Sequence, residues 1–140
     1  MMNKIDSFSG KYYFLSNFYP AKVKFADLEF NNNEAAFQAM KVTSSFIRKQ
    51  FTILPPNLAK RKGRSVRLRP DWENIKEDIM YRIVYAKFSQ NEGLKRKLIA
   101  TGNLELIEGN TWNDTTWGVC NGKGQNKLGK ILMKVREELK

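Results

Sequence analysis

The sequence has no histidine and a single cysteine, Cys120, in 140 residues. Without imidazole there is no Ser-His-Asp or Cys-His nucleophilic machinery and no histidine-ligated zinc site. One cysteine cannot close an internal disulfide, which fits a reducing compartment. Hydrophobic runs are short, well under the roughly 20 residues a membrane helix needs. The opening segment, MMNKIDSFSG, lacks the apolar stretch of a secretory signal. A cytoplasmic protein with no membrane partner is therefore expected. Acidic residues are scarce as well, 14 against 25 Lys and Arg, which leaves a formal charge of +11. A field of that sign attracts nucleotides, sugar phosphates and nucleic acid. Chemistry in such a chain falls to carboxylate, lysine, tyrosine or bound water, with no metal and no cofactor expected.

What is present reads as a single domain, 1–140, of α+β class, mainly helical with a few short strands. Val23, Phe25, Leu28 and Phe30 mark two strands around a turn near Asp27. Asn33 is the expected N-cap of a helix carrying Glu34 in its first turn, then Phe37, Met40 and Lys41. A short helix over Phe46–Phe51 is broken by Pro55-Pro56, and the next is expected to stop near Gly63. The clearest helix runs from an Asp71 cap to about Phe88, with Trp72, Ile75, Ile79 and Ile83 as its core stripe. Leu94 and Leu98 lie on a helix stopped by Gly102, and Leu104–Ile107 suits a strand. The last helix starts near Asn126 and carries Leu128, Ile131, Leu132, Val135 and Leu139 on one side. Gly129 within it points to close approach of another backbone.

The segment EGNTWNDTTWGVCNGKGQNKLGK gathers tryptophans, acids, asparagines and glycines into one polar stretch. A planar base needs a flat apolar partner, sugar hydroxyls need amide or carboxylate groups, and close backbone approach needs glycine. Taken in order, FLSNFYP, NEAAFQAMK, RPDWENIKEDIM and this C-terminal segment give a chain that resembles the NADAR superfamily of YbiA-like proteins. The resemblance implies a small α+β fold and an N-glycosidase that hydrolyses the bond between a ribose and an amino group. Substrates in such a family include ribosylamino-pyrimidine phosphates of the early riboflavin pathway and ADP-ribosylated guanine in DNA. The family positions carried by this sequence are Asn17, Glu34, Trp72, Asp114, Trp117 and Gly118.

Chemistry gives these residues roles. The ribose acquires oxocarbenium character as the C–N bond breaks, which Glu34 can stabilise while it activates water. A surface helix-dipole role, worth about 0.3–1 kcal/mol, is the competing account. Asp114 is the second expected catalytic carboxylate and, with Asn17, is expected to hold the ribose, with loop capping as the alternative for Asp114. Trp72 and Trp117 are expected to clamp the base. Lys62 and Arg64, taken from the basic run Lys60–Arg69, are the expected phosphate ligands, with Lys41 orienting a carboxylate or contacting phosphate. The expected partner is a phosphorylated ribosyl or ADP-ribosyl substrate, DNA carrying the modification included, and no protein partner is implied. A non-catalytic nucleotide- or nucleic-acid-binding module is the rival reading of the same charge and aromatics.

Overall fold

A computed structural model describes residues 3–140. In chain order its elements are β1 (Lys4–Ile5), a 3-10 helix (Gly10–Leu15), β2 (Val23–Phe25), β3 (Leu28–Phe30), α1 (Asn33–Ala39), α2 (Ser45–Lys49), α3 (Pro56–Ser65), α4 (Trp72–Gln90), α5 (Glu92–Ala100), β4 (Glu105–Leu106), β5 (Gly109–Asn110), β6 (Val119–Cys120) and α6 (Lys127–Leu139). This is the expected mainly helical α+β arrangement. Among the described residues, no helix is long and apolar enough to cross a membrane. The chain divides into two units, Asn17–Asn91 and the residues up to Ser16 together with Glu92–Lys140.

In the unit Asn17–Asn91, β2 and β3 form an antiparallel hairpin with Val23 opposite Phe30. Its two turn residues, Ala26 and Asp27, have φ of 52° and 63°. Two successive left-handed residues give the turn a twist that matches the strands. Val23 and Phe30 are fully buried. The Gln90 side chain completes the edge of β2, accepting from the Lys24 amide at 2.8 Å and donating to its carbonyl at 2.9 Å. Helix α4 packs on β2 and on α1, and α3 packs on α1. The α4 stripe departs from expectation: Trp72 and Ile83 are buried, but Ile75 and Ile79 are only half-buried, and Met80, Val84, Lys87 and Phe88 take the inner face. At about 100° per residue Ile75 and Ile79 lie to one side of Trp72, and Met80, Val84 and Lys87 to the other, so the inner face is centred beside the expected stripe rather than on it.

Three further boundaries differ. The N-cap of α1 is Asn32, not Asn33: its side chain accepts from the Ala35 amide at 2.7 Å. Helix α1 ends at Ala39, so Lys41 lies just past it rather than on it. Gly63 does not stop α3, which continues to Ser65. Asp71 does precede α4, but its carboxylate makes no cap bond, being held by Arg69 Nε at 2.6 Å.

In the other unit β1 pairs with β4 in parallel, and β5 with β6. Helix α6 packs on β4 and α5. Gly129 meets the expectation of close packing, since a side chain there would run into the Leu106 carbonyl. Asn126, at φ 52°, donates to that carbonyl at 2.9 Å and accepts from the Glu108 amide at 3.0 Å. It thereby ties the start of α6 to the chain leaving β4.

Candidate active site

Helix α1 is buried along its whole length, so every polar group on it costs free energy unless partnered. It nonetheless carries Asn33, Glu34 and Gln38, and Glu34 is only 8% exposed. The Glu34 amide donates to the Asn17 carbonyl at 3.0 Å. Its carboxylate Oε1 accepts from Gln38 Nε2 at 3.3 Å. Asn17, half-buried in the SNF segment, accepts at Oδ1 from Asn33 Nδ2 and donates from Nδ2 to Met80 Sδ, both at 3.4 Å. Asn33 Oδ1 and Gln38 Oε1 are buried and accept no hydrogen bond. A buried acceptor without a partner costs about 1–3 kcal/mol, so each of these oxygens calls for a physical account.

Cations gather around Lys41, which interacts electrostatically with Glu34. Lys41 is half-buried, and its amine donates to the Gly63 carbonyl at 3.4 Å. Burial pushes its pKa below the ordinary lysine value; Glu34 pulls it back up, while Arg64, Lys76 and Lys60 push it further down. Of the two expected phosphate ligands, Arg64 therefore belongs to the field around Lys41. Lys62 sits instead with its amine 5.7 Å from the centre of the Phe51 ring. Sequence reasoning counted Lys60 in the basic run without selecting it, and did not single out Lys76. Lys60 is four residues before Arg64 and so on the same helix face, and its amine lies 5.9 Å from the Phe18 ring, next in sequence to Asn17. Trp72 is 5% exposed, its ring 5.1 Å from that of Phe37, so most of its surface is spent on the core.

The remaining expected site residues lie in the other unit, where the β5–β6 connection is organised by Asn110. Its Oδ1 accepts from the Trp112 and Asp114 amides at 3.3 and 3.1 Å, and its Nδ2 donates to Glu108 Oε2 at 3.0 Å and the Asp114 carbonyl at 2.9 Å. Asp114 Oδ1 accepts from the Thr116 and Trp117 amides at 3.1 and 2.9 Å, the geometry of an Asx turn. Trp117 is half-buried, whereas Trp112 is 59% exposed. Gly118 is required by close approach, because a side chain there would run into the Glu108 carboxylate and carbonyl. Glu108 and Asn110 are thus the residues that sequence reasoning passed over in this loop. The signal was present in the E-G-N run, which places them two apart on one side of an extended segment.

A family model described as "NADAR domain" matches residues 6–140. The chain belongs to the NADAR family. It is 39% identical to "N-glycosidase YbiA" of Shigella boydii serotype 4 (strain Sb227), covering 95% of this chain and 85% of that protein. It is also 39% identical to a "Riboflavin biosynthesis protein" of Vibrio vulnificus (strain YJ016), over 90% of this chain and 35% of the relative. The NMR structure of the Escherichia coli protein YbiA superposes with a TM-score of 0.86 at 36% identity, covering 99% of this chain and 86% of that one. Family and relatives make this NADAR chain an N-glycosidase, a glycosyl hydrolase.

Proposed function

We propose that the chain hydrolyses the C–N bond of a phosphorylated ribosylamine, with Glu34 activating the attacking water. The observation that carries this reading is a nearly buried carboxylate held by Gln38, fixed through its backbone to Asn17, and near enough to Lys41 to raise the pKa of that amine, on which Arg64, Lys76 and Lys60 also act. Glu34 accepts a proton from water as the water oxygen bonds to the ribose C1 carbon. The C–N bond breaks, its electron pair passes to nitrogen, and the amine leaves with the proton that Glu34 took from water, which returns the carboxylate to its charged form. Through the transition state the carboxylate also stabilises positive charge on the ribose. Lys41 and Arg64 hold the phosphate, with Lys60 and Lys76 adding to the attractive field; the Arg64 guanidinium can bind two phosphate oxygens at once. Asn17 is assigned to the ribose hydroxyls. Trp117, in a loop whose backbone is shaped by Asp114 and Gly118, is assigned to base capture on the family motif alone.

The riboflavin name carried by the Vibrio relative supports a ribosylamino-pyrimidine phosphate as substrate. ADP-ribosylated guanine in DNA has the same sugar–nitrogen bond and more phosphate, and is the second substrate class to test. Purified protein incubated with each class, and with unmodified DNA, is followed by mass spectrometry. The expected products are the free aminopyrimidine and a ribose phosphate. Cleavage of modified DNA alone would move the assignment to the second class. DNA binding with no bond cleaved in any substrate would leave a non-catalytic module.

A further inference from the structure

Gln38 lies one helical turn after Glu34, and both are buried. We infer that Gln38 is the positioning residue of the Glu34 carboxylate, and that Gly63 is a glycine so that Gln38 can hold that position; this rests on the hydrolytic reading of Glu34.

The hydrogen bond between them works in one amide orientation only. With Nε2 toward Glu34 Oε1 the amide donates to the carboxylate, whereas the reverse orientation would set oxygen against oxygen. The working orientation leaves Gln38 Oε1 buried and accepting nothing. A purely structural residue at this place would be better as methionine or leucine, which fill similar volume with no unsatisfied oxygen. Gly63 of α3 explains how the side chain is kept there. A Cβ on Gly63 would run into Gln38 Oε1 and Cδ, and would lie 3.1 Å from Gln38 Cβ. Glycine inside a helix is unfavourable relative to alanine, so its presence answers to this contact rather than to the helix. The Gly63 carbonyl also accepts from Lys41, so the same residue of α3 meets both side chains that act on Glu34.

The test is a double-mutant cycle on turnover, using whichever ribosylamine the wild type cleaves. Gln38→Met should lower kcat about tenfold or more with KM nearly unchanged, the scale of a misplaced catalytic group. In a Glu34→Gln background the same substitution should change kcat by less than about twofold, because a residue acting through Glu34 has nothing left to act on. Gly63→Ala, which favours the helix, should lower kcat with Gln38 intact and by clearly less in a Gln38→Ala background, where the severe contacts with Oε1 and Cδ are gone and only the 3.1 Å approach to Cβ remains. It also decides the matter if Gln38→Met does not fold. An unchanged kcat in both single variants, or an equal loss with and without Glu34, would overturn the positioning role alone. A wild type that cleaves none of the substrates would remove the hydrolytic reading and this inference with it.

Discussion

The amide of Glu34 donates to the carbonyl of Asn17 at 3.0 Å, so the SNF segment supplies a backbone partner for the first turn of α1. The bond is independent of the Glu34 side chain, as is the Asn32 cap on Ala35. Glu34→Gln therefore keeps the fold and much of the ligand affinity while turnover falls by about 10²-fold or more, the scale of lost general base catalysis. Steady-state kinetics and a substrate titration on the folded variant check this. Undiminished hydrolysis would mean that Glu34 has no catalytic role.

Lys87 is 1% exposed, with its amine 5.5 and 5.0 Å from the Tyr19 and Phe88 rings. Burial lowers its pKa from the ordinary 10.5 to about 7. The unfolded chain keeps this proton until its ordinary lysine pKa, while the folded chain releases it near 7, so between the two the unfolded state binds more protons. Stability then rises with pH across that window. Wild type should gain on Lys87→Met between about pH 7 and about pH 10, by an amount on the order of a few kcal/mol. Urea unfolding of both proteins at the two pH values measures it. A constant difference would show that Lys87 titrates as an ordinary lysine.

Much of this architecture was legible in the sequence because local signals agreed with tertiary ones. Val23, Phe30 and the intervening turn mark the hairpin, and Leu128, Ile131, Leu132 and Val135 of α6 are buried where their spacing places them, Leu139 near its end being half-buried. The failures have physical causes. Asn31, Asn32 and Asn33 are all able to cap, and only the alignment of one side chain with the Ala35 amide selects Asn32. Gly63 looks like a helix stop because glycine serves both to end helices and to admit a close neighbour; that neighbour, Gln38, is 25 positions away. The importance of Gln38 has the same origin. Nothing in NEAAFQAMK distinguishes a surface glutamine from one sealed against a carboxylate until the all-round burial of α1 is known. Glu34, Asn17 and Lys41 stand out through their motifs, whereas the grouping of Lys60 and Arg64, but not Lys62, around Lys41 depends on the rotation of α3, which the basic run does not reveal.

Asp114 separates capping from contact with substrate. Its Oδ1 is engaged by the Thr116 and Trp117 amides. Asp114→Asn keeps an oxygen able to accept both bonds and should preserve stability, whereas Asp114→Ala should lose about 1 kcal/mol, as caps do. Activity that follows the same order, with Asn near wild type and Ala reduced, is the expected result in kinetic assays. An inactive but fully stable Asp114→Asn would make the negative charge itself essential to the reaction.

Activity should survive exhaustive treatment with EDTA. The chain has no histidine and one cysteine, so the usual nitrogen and sulfur ligands of transition metals are nearly absent. The check is turnover before and after chelation and desalting. A loss that added magnesium or calcium restores would assign the reaction a hard ion held by oxygen ligands.

Trp117→Ala should weaken capture of the base-containing substrate more than it weakens the protein. The tryptophan is half-buried, its amide donates to Asp114, and its carbonyl accepts from the Leu128 amide at 2.9 Å. Those backbone bonds survive truncation of the ring, so the loop keeps its course when the aromatic face is removed. Loss of a stacked aromatic costs about 1–3 kcal/mol of binding. Truncation of a fully packed core tryptophan costs about 3–5 kcal/mol of folding stability instead. A urea unfolding curve and a substrate titration on one variant separate the two. A large fall in unfolding free energy with unchanged affinity in the folded fraction would make Trp117 a packing residue and transfer base capture to Trp112, whose ring is the more exposed.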